Sequence, residues 1–232
     1  MARSIILGNS RLTVGLNENG LVHDFYYPYV GLDNLTTSRS THHRIGVWVD
    51  GEFSWTDEDH WQTEVNFSDQ ALISTVNFNS SKLGITISCT DFVDYQYDGF
   101  CRIITISNNG NSKKEIRIFM HQVFEISNNG RGDTALYVPD EHYILDYKGR
   151  CCLLISGRGA EQSFDQYAVG NYGIEGKQGT FKDAEDGELS GHNVEHGGVD
   201  SVIRFSCTLS PGDSSSVDYW IVAGTTQAAC EK

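Results

Sequence analysis

The sequence predicts an all-β protein, a large two-sheet antiparallel sandwich. Three observations predict it: apolar residues recur with period two, glycine-containing turn dipeptides interrupt the chain at short intervals, and no capped window of helical period stands out.

The period-two segments carry most of the weight. "LGITISC" places Ile85, Ile87 and Cys89 on one side of an extended chain. "EIRIFM" does the same with Ile116, Ile118 and Met120, and "SVIRFSCTL" with Ile203, Phe205, Cys207 and Leu209. Successive strand side chains point to opposite faces, so each segment reads as a half-buried antiparallel strand. Asn19-Gly20, Asp50-Gly51, Asp98-Gly99, Asn109-Gly110, Asn129-Gly130 and Pro211-Gly212 supply the turns and leave no room for long helices. Residues from Gly157 to Gly198, rich in Gly, Asp and Glu, are the least strand-like and are expected to hold long loops. No linker, repeat or low-complexity tract divides the chain, and "TTQAACEK" after the strand "VDYWIVAG" reads as the beginning of something further.

The composition fits that class. At 232 residues the chain is long enough for one large sandwich, and 39% hydrophobic against 21% charged residues is too apolar for disorder. Seventeen Lys and Arg face 31 Asp and Glu, a balance of −14 with no basic block, which disfavours nucleic acid and anionic membrane surfaces as partners. No apolar run reaches the roughly 18 residues of a spanning helix, and no signal segment opens the chain, so it reads as soluble and cytoplasmic. The six cysteines have neither C-x-x-C nor metal-like Cys/His spacing and read as free core thiols in a reducing compartment. A two-residue turn at Asp98-Gly99 would set Cys101 opposite Gln96, poorly placed to bridge to Cys89.

Candidate chemistry is sparse. "KDAEDGELSGHNVEHGGVDS" offers acids and histidines, but it has neither the alternating acids and terminal Glu of an EF-hand nor the helical H-E-x-x-H of a zinc protease. It reads as a structured loop in which Asp183, Asp186, Glu195 and His196 are structural, the acids buried and accepting backbone amides, with no metal bound. Glu52, Asp57, Glu58 and Asp59 cluster around Trp55 and Trp61 but belong to a hairpin at Asp50-Gly51, where acids are usually just solvated. The histidines at 23, 60, 121 and 142 read as structural, and no G-x-S-x-G, P-loop or dinucleotide fingerprint occurs. One segment stands apart: "GLVHDFYYPYVGLDN" sets four aromatic residues around Pro28. Pro28 fixes its own φ and biases Tyr27 toward an extended conformation, giving a stiff loop. Strand alternation puts Tyr27 and Tyr29 on one side and Tyr26 on the other, so at least one ring should emerge into solvent.

Four segments together carry a resemblance. "LGNSRLTVGLNENGLVHDFYYPYVGLDN" with "HRIGVWVDGEFSW", then "GDTALYVPDEHYILDYKGR", then "FKDAEDGELSGHNVEHGGVDSVIRF" are similar to the amino-terminal domain of prokaryotic glucoamylase-like glycoside hydrolases, family fifteen, which spans glucoamylases, glucodextranases and some trehalases. The likeness runs from about Ser4 to Gly224. It implies a β-supersandwich over residues 1–224 and, over 225–232, the start of a connection to an (α/α)6 catalytic domain of the same polypeptide. That absent barrel would carry the catalytic glutamates and cleave an α-glucan or glucose disaccharide. This chain would then have no catalytic residue and no cofactor, and would hydrolyse nothing alone. Tyr26, Tyr27, Tyr29, His43, Arg44, Trp48 and Trp55 become interdomain or substrate-proximal candidates. Family members often place "NH" after the tyrosine-proline motif, whereas here Asn34 is followed by Leu35. Two other readings stay open: an autonomous glucan-binding module, and, by analogy of fold, a mutarotase-like enzyme.

Overall fold

The computed structural model describes residues 5–36, 43–68, 70–128, 131–160 and 162–232. The Asn129-Gly130 turn signal lies outside the described residues. The strands in chain order are β1 (Ile5–Gly8), β2 (Thr13–Leu16), β3 (Val22–Tyr26), β4 (Ile45–Val49), β5 (Glu52–Trp55), β6 (Gln62–Phe67), β7 (Ile73–Ser80), β8 (Ile85–Val93) and β9 (Gly99–Asn108). They continue with β10 (Lys114–Val123), β11 (Asp133–Val138), β12 (Tyr143–Lys148), β13 (Cys151–Gly159), β14 (Gln166–Asn171), β15 (Val194–Gly197), β16 (Val199–Leu209) and β17 (Ser214–Gly224). One short helix, α1 (Gln227–Cys230), follows.

Two large antiparallel sheets form the sandwich. One has nine strands in the order β15-β11-β12-β13-β17-β9-β8-β7-β6, and the other has five in the order β14-β16-β10-β4-β5. A small sheet, β1-β2-β3, adds Leu7, Val14 and Phe25 to the same core. Between the large sheets lie Ile85, Ile87, Cys89, Ile104, Ile155 and Ile221 from one and Ile116, Ile118, Met120, Ile203 and Phe205 from the other. The all-β expectation and its period-two argument hold, most cleanly on β8, which alternates buried and half-buried along its length.

The expectation of half-buried strands does not hold for β10 and β16. Phe119, His121, Val202 and Arg204 are buried as well, because residues 172–193 fold back over the outer face of the five-stranded sheet. Under that cover Trp55, Phe119, Ala168, Ala184, Leu189 and Val202 form a second core.

The turn signals divide by what they connect. Asp50 (φ 49) and Gly51 (φ 102) close a two-residue β4–β5 hairpin with both central φ positive, as a type I′ turn requires. The Asp98-Gly99 expectation is corrected: residues 94–98 all lie between β8 and β9, and Cys101 pairs with Phe92, not Gln96. The physical reason is Asp94, whose Oδ1 accepts the amides of Gln96 (2.7 Å) and Tyr97 (2.9 Å) and turns the chain early. All six cysteines are free thiols. Asn109-Gly110 and Pro211-Gly212 carry the chain from one large sheet to the other, since β9 and β17 belong to one and β10 and β16 to its partner. Asn108 ties both crossovers together, its Nδ2 donating to Ser112 O (2.8 Å) and Leu209 O (3.0 Å).

Arg102 fastens the small sheet to the large one. Fully buried, it pairs with Asp91 (2.6 and 2.8 Å) and donates to Gly20 O (2.7 Å). Gly20 has φ 68 and lies against Val76 so closely that a Cβ would stand 2.3 Å from it, which is why only glycine fits this turn. No helix among the described residues is long and apolar enough to cross a membrane.

Candidate interdomain face

The aromatic loop begins where β3 ends, at Tyr26. The Tyr27-Pro28 peptide is cis, Tyr27 is buried, and Tyr29 is 56% exposed beside exposed Val30 and Leu32. Tyr26 is half-buried. Tyr27 and Tyr29 therefore do not share a side, because the alternation that predicted it stops with the strand. Asn34 shapes the loop: its Oδ1 accepts the amides of Phe25 (2.9 Å) and Thr36 (3.2 Å), and its Nδ2 donates to Asp24 Oδ1 (2.8 Å). In the sequence Asn34 stands out only as the residue before an absent histidine. A short amide able to bond nearby backbone was the available signal.

A second ordered loop stands beside the first. Asn9 Nδ2 donates to Asp94 O and Tyr97 O, both at 2.9 Å, and Arg11 pairs with Asp98 and bonds Tyr27. These bonds hold residues 94–98 in one shape while leaving Tyr95 92% and Tyr97 54% exposed. Burial raises the Tyr27 phenol above its ordinary pKa, against the opposing pull of Arg11. Tyr27 divides two hollows. One of about 450 Å³ is shared with Tyr97, Asp98 and Trp220, and one of about 440 Å³ with Pro28, Leu32, Ile126 and Arg150.

The last helix borders the first hollow. Thr226 caps α1, its Oγ1 accepting from Ala229 N (3.2 Å), and Cys230 is buried with Tyr143, Leu145, Cys152 and Leu154 on the outer face of the nine-stranded sheet. Leu136, Val138, Tyr147, Trp220 and Val222 on that face are only half-covered. Burial pushes the Cys151 and Cys230 thiols up to about 12, which makes them packing groups and not nucleophiles.

The other interdomain candidates are taken up inside the fold. His43 is buried, with Nε2 3.2 Å from Val123 O and its ring edge-on to Phe124. Trp55 is buried under Arg44, whose guanidinium lies 4.3 Å from the ring centroid and pairs with Asp57 at 2.9 Å. Trp48 is half-buried beneath Arg117 at 4.0 Å, with Gly187 against its edge. Of these, Arg44 and Trp55 pack against Phe181 and Trp48 against Gly187, and so fasten the 172–193 cover, whereas His43 packs beside Phe124.

The acidic segment needs a similar correction. Asp183 Oδ2 accepts Ser190 N (2.8 Å) and Asp186 Oδ1 accepts Glu188 N (2.9 Å), yet Asp186 is exposed and Asp183 only half-buried. Glu195 and His196 stand on β15 and not in a loop, and His196 Nδ1 meets Thr134 Oγ1 on β11 at 2.9 Å. The buried acid that holds the segment is Asp200, missed in the sequence. Its Oδ2 accepts Thr180 N (2.6 Å) and lies 3.0 Å from His121 Nε2. Arg117 and Arg204 both donate to Gly187 O, at 2.9 and 3.0 Å. Among the described residues no group of three or more His, Cys, Asp or Glu is arranged to hold a metal.

Two further clusters resolve as structural. Ser54 Oγ lies 2.9 Å from His60 Nε2 and 3.0 Å from Glu58 Oε2, the residue types of a nucleophilic triad. Ser54 is buried, however, and receives Trp61 Nε1 at 2.8 Å, so its hydroxyl closes a turn instead of facing a substrate. Asp133 and Asp146 are buried neighbours on β11 and β12. Burial, opposed by Lys148, pushes Asp133 up to about 6, while burial and then the charges of Asp133 and Asp200 raise Asp146 well above the carboxylate range.

No family model matches the chain. It is 24% identical over 218 residues to an uncharacterized glycosyl hydrolase of Methanocaldococcus jannaschii, a match covering 94% of this chain and 33% of that protein. A bacterial glucoamylase complexed with acarbose shares the fold over 99% of this chain and 33% of its own, with a TM-score of 0.77 at 12% identity. An Escherichia coli K12 protein assigned as an aldose 1-epimerase follows the fold over 96% of this chain and 99% of its own, with a TM-score of 0.52 at 8% identity. The chain thus spans about a third of the length of the glycosyl hydrolase and of the glucoamylase it matches. The resemblance read from the sequence is borne out in fold and in sequence relationship.

Proposed function

We propose that this chain is a non-catalytic domain of a larger glycoside hydrolase, and that its Tyr29 end docks on the hydrolytic domain. One observation carries the reading: exposed Tyr29, Val30 and Leu32, with Tyr95 and Tyr97, stand on loops already fixed by Asn34, Asn9 and Asp94, around the outer sheet face on which α1 lies. Ordered loops that keep large apolar side chains in water are the mark of an interaction surface. Residues 225–232 are the start of the connection in this reading, and an (α/α)6 barrel cleaving α-glucosidic bonds is the partner. The free state of all six cysteines supports a reducing, cytoplasmic setting. The epimerase analogy finds less support, since Asp98 in the first hollow is already paired with Arg11 and the Asp94 carboxylate bonds amides of its own turn.

The test is to read the gene past the Lys232 codon, produce the longer polypeptide, and compare glucose release from maltose, trehalose, dextran and soluble starch. The longer protein is expected to act and residues 1–232 alone to release none. Glucose release by the short chain, or no downstream catalytic domain, overturns the proposal.

A further inference from the structure

The hollow between Tyr27, Tyr97 and Trp220 has features that a docking face alone does not need. Its volume of about 450 Å³ falls among small-ligand sites, which run from roughly 300 to 1,000 Å³. Its wall combines aromatic rings with polar side chains, and the formal charges cancel: Arg11 and Lys232 stand against Asp94 and Asp98. An anionic ligand has no surplus cation to meet here, and the chain's net charge of −14 repels it further. An apolar ligand would strip water from the Arg11–Asp98 pair without replacing its hydrogen bonds.

We infer that this hollow is a binding site for a neutral saccharide. Ring C–H faces of a pyranose pack on the exposed Tyr97 ring or on half-buried Trp220. Hydroxyls both donate and accept, so one sugar can receive from Arg11 and Gln96 while donating to Asp98. The seat is formed before ligand arrives: Asn9 clamps the carbonyls of Asp94 and Tyr97, and Asp94 Oδ1 clamps the amides of Gln96 and Tyr97. Little side-chain or loop entropy remains to be lost on binding. The site lies wholly within this chain and does not rest on the domain-docking reading, although Tyr97 belongs to both surfaces.

The test titrates the 232-residue protein with glucose, maltose, trehalose and galactose, and with glucose 6-phosphate as the anionic comparison, following the Trp220 indole N–H by NMR. Trp220→Phe identifies that resonance. A saturable shift with at least one neutral sugar is expected, with a Kd of about 1 mM, and glucose 6-phosphate should bind no more tightly than glucose. Tyr97→Ala should weaken binding by about tenfold without unfolding the protein, because the ring is exposed, whereas Tyr29→Ala should leave it unchanged. Absence of a saturable shift with every neutral sugar overturns the inference, as does tighter binding of the phosphate. A shift that depends on protein concentration and not on sugar assigns the hollow to a second copy of the chain instead.

Discussion

Two regions rich in aromatic and acidic residues differ in the structure. The 172–193 cover with its aromatic bed of Trp48 and Trp55 is self-contained: Arg44 and Arg117 lie over the indoles, Asp200 takes the Thr180 amide, and Arg117 and Arg204 take the Gly187 carbonyl. The end built from residues 27–36 and 94–98 is equally well bonded along its backbone, yet Tyr29, Tyr95 and Tyr97 face water. Aromatic or acidic composition does not separate a structural region from an interactive one. What separates them is whether the large side chains find partners inside the chain.

The largest expected effect is Trp55→Ala. The ring lies in a closed core, so urea unfolding should show a loss of about 3–5 kcal/mol, and a near-neutral result would mean the cover is not closed. Asp200→Ala comes next. It leaves the Thr180 amide and His121 without their carboxylate, at about 1–3 kcal/mol each for a buried group left unpaired, and proteolysis within 172–193 should accelerate. If cleavage there is unchanged, Asp200 is not the fastening point.

A pH profile sharpens the contrast inside the core. The folded-state values of Asp133 and Asp146 are raised, so the stability they confer is fully present below the unfolded value of about 4 and is lost as pH rises through the folded one, about 6 for Asp133. The melting temperature should fall across that window, and Asp146→Asn should flatten part of the fall. A profile identical in the variant removes Asp146 as a cause.

Asp186→Ala should cost no more than about 1 kcal/mol, since its bond to the Glu188 amide is exposed, and EDTA should leave the melting temperature unchanged. A large chelator effect would replace the hydrogen-bonded account of the segment with a metal-held one. Smallest is Tyr29→Ala, within about 0.5 kcal/mol for this chain. A loss as great as that of Trp55→Ala would mean that Tyr29 packs inside the fold.

The fold was legible because β8 and its neighbours alternate, and because Asp50-Gly51 is a turn that its own two residues determine. Less legible was anything decided by distant pairing. Phe119 and Val202 read as outward-facing by alternation, and only the return of residues 172–193 over the sheet buries them. Asp98-Gly99 has the sequence of a hairpin turn, but Asp94 captures the amides first. In the candidate site, the exposure of a ring near Pro28 was legible, and which ring was not, because alternation gives no rule beyond the end of β3. Asn9, Arg11 and Asp98 lie almost ninety residues apart in pairs such as Arg11 with Asp98, and no local pattern announces such a meeting.

The strand order carries a consequence for how the molecule is made. β6 to β9 form one meander and β11 to β13 another, and β17 is the strand that joins them by pairing with β9 and β13. β16 does the same service opposite, linking β14 to β10. During synthesis, then, most of both sheets emerges before either can close, and β9 waits with an unpaired edge until residues 214–224 arrive. Closure depends on contacts between residues more than a hundred positions apart, which makes folding slow and late. Until then the nascent chain presents the open strand edges that chaperones shield and aggregates exploit.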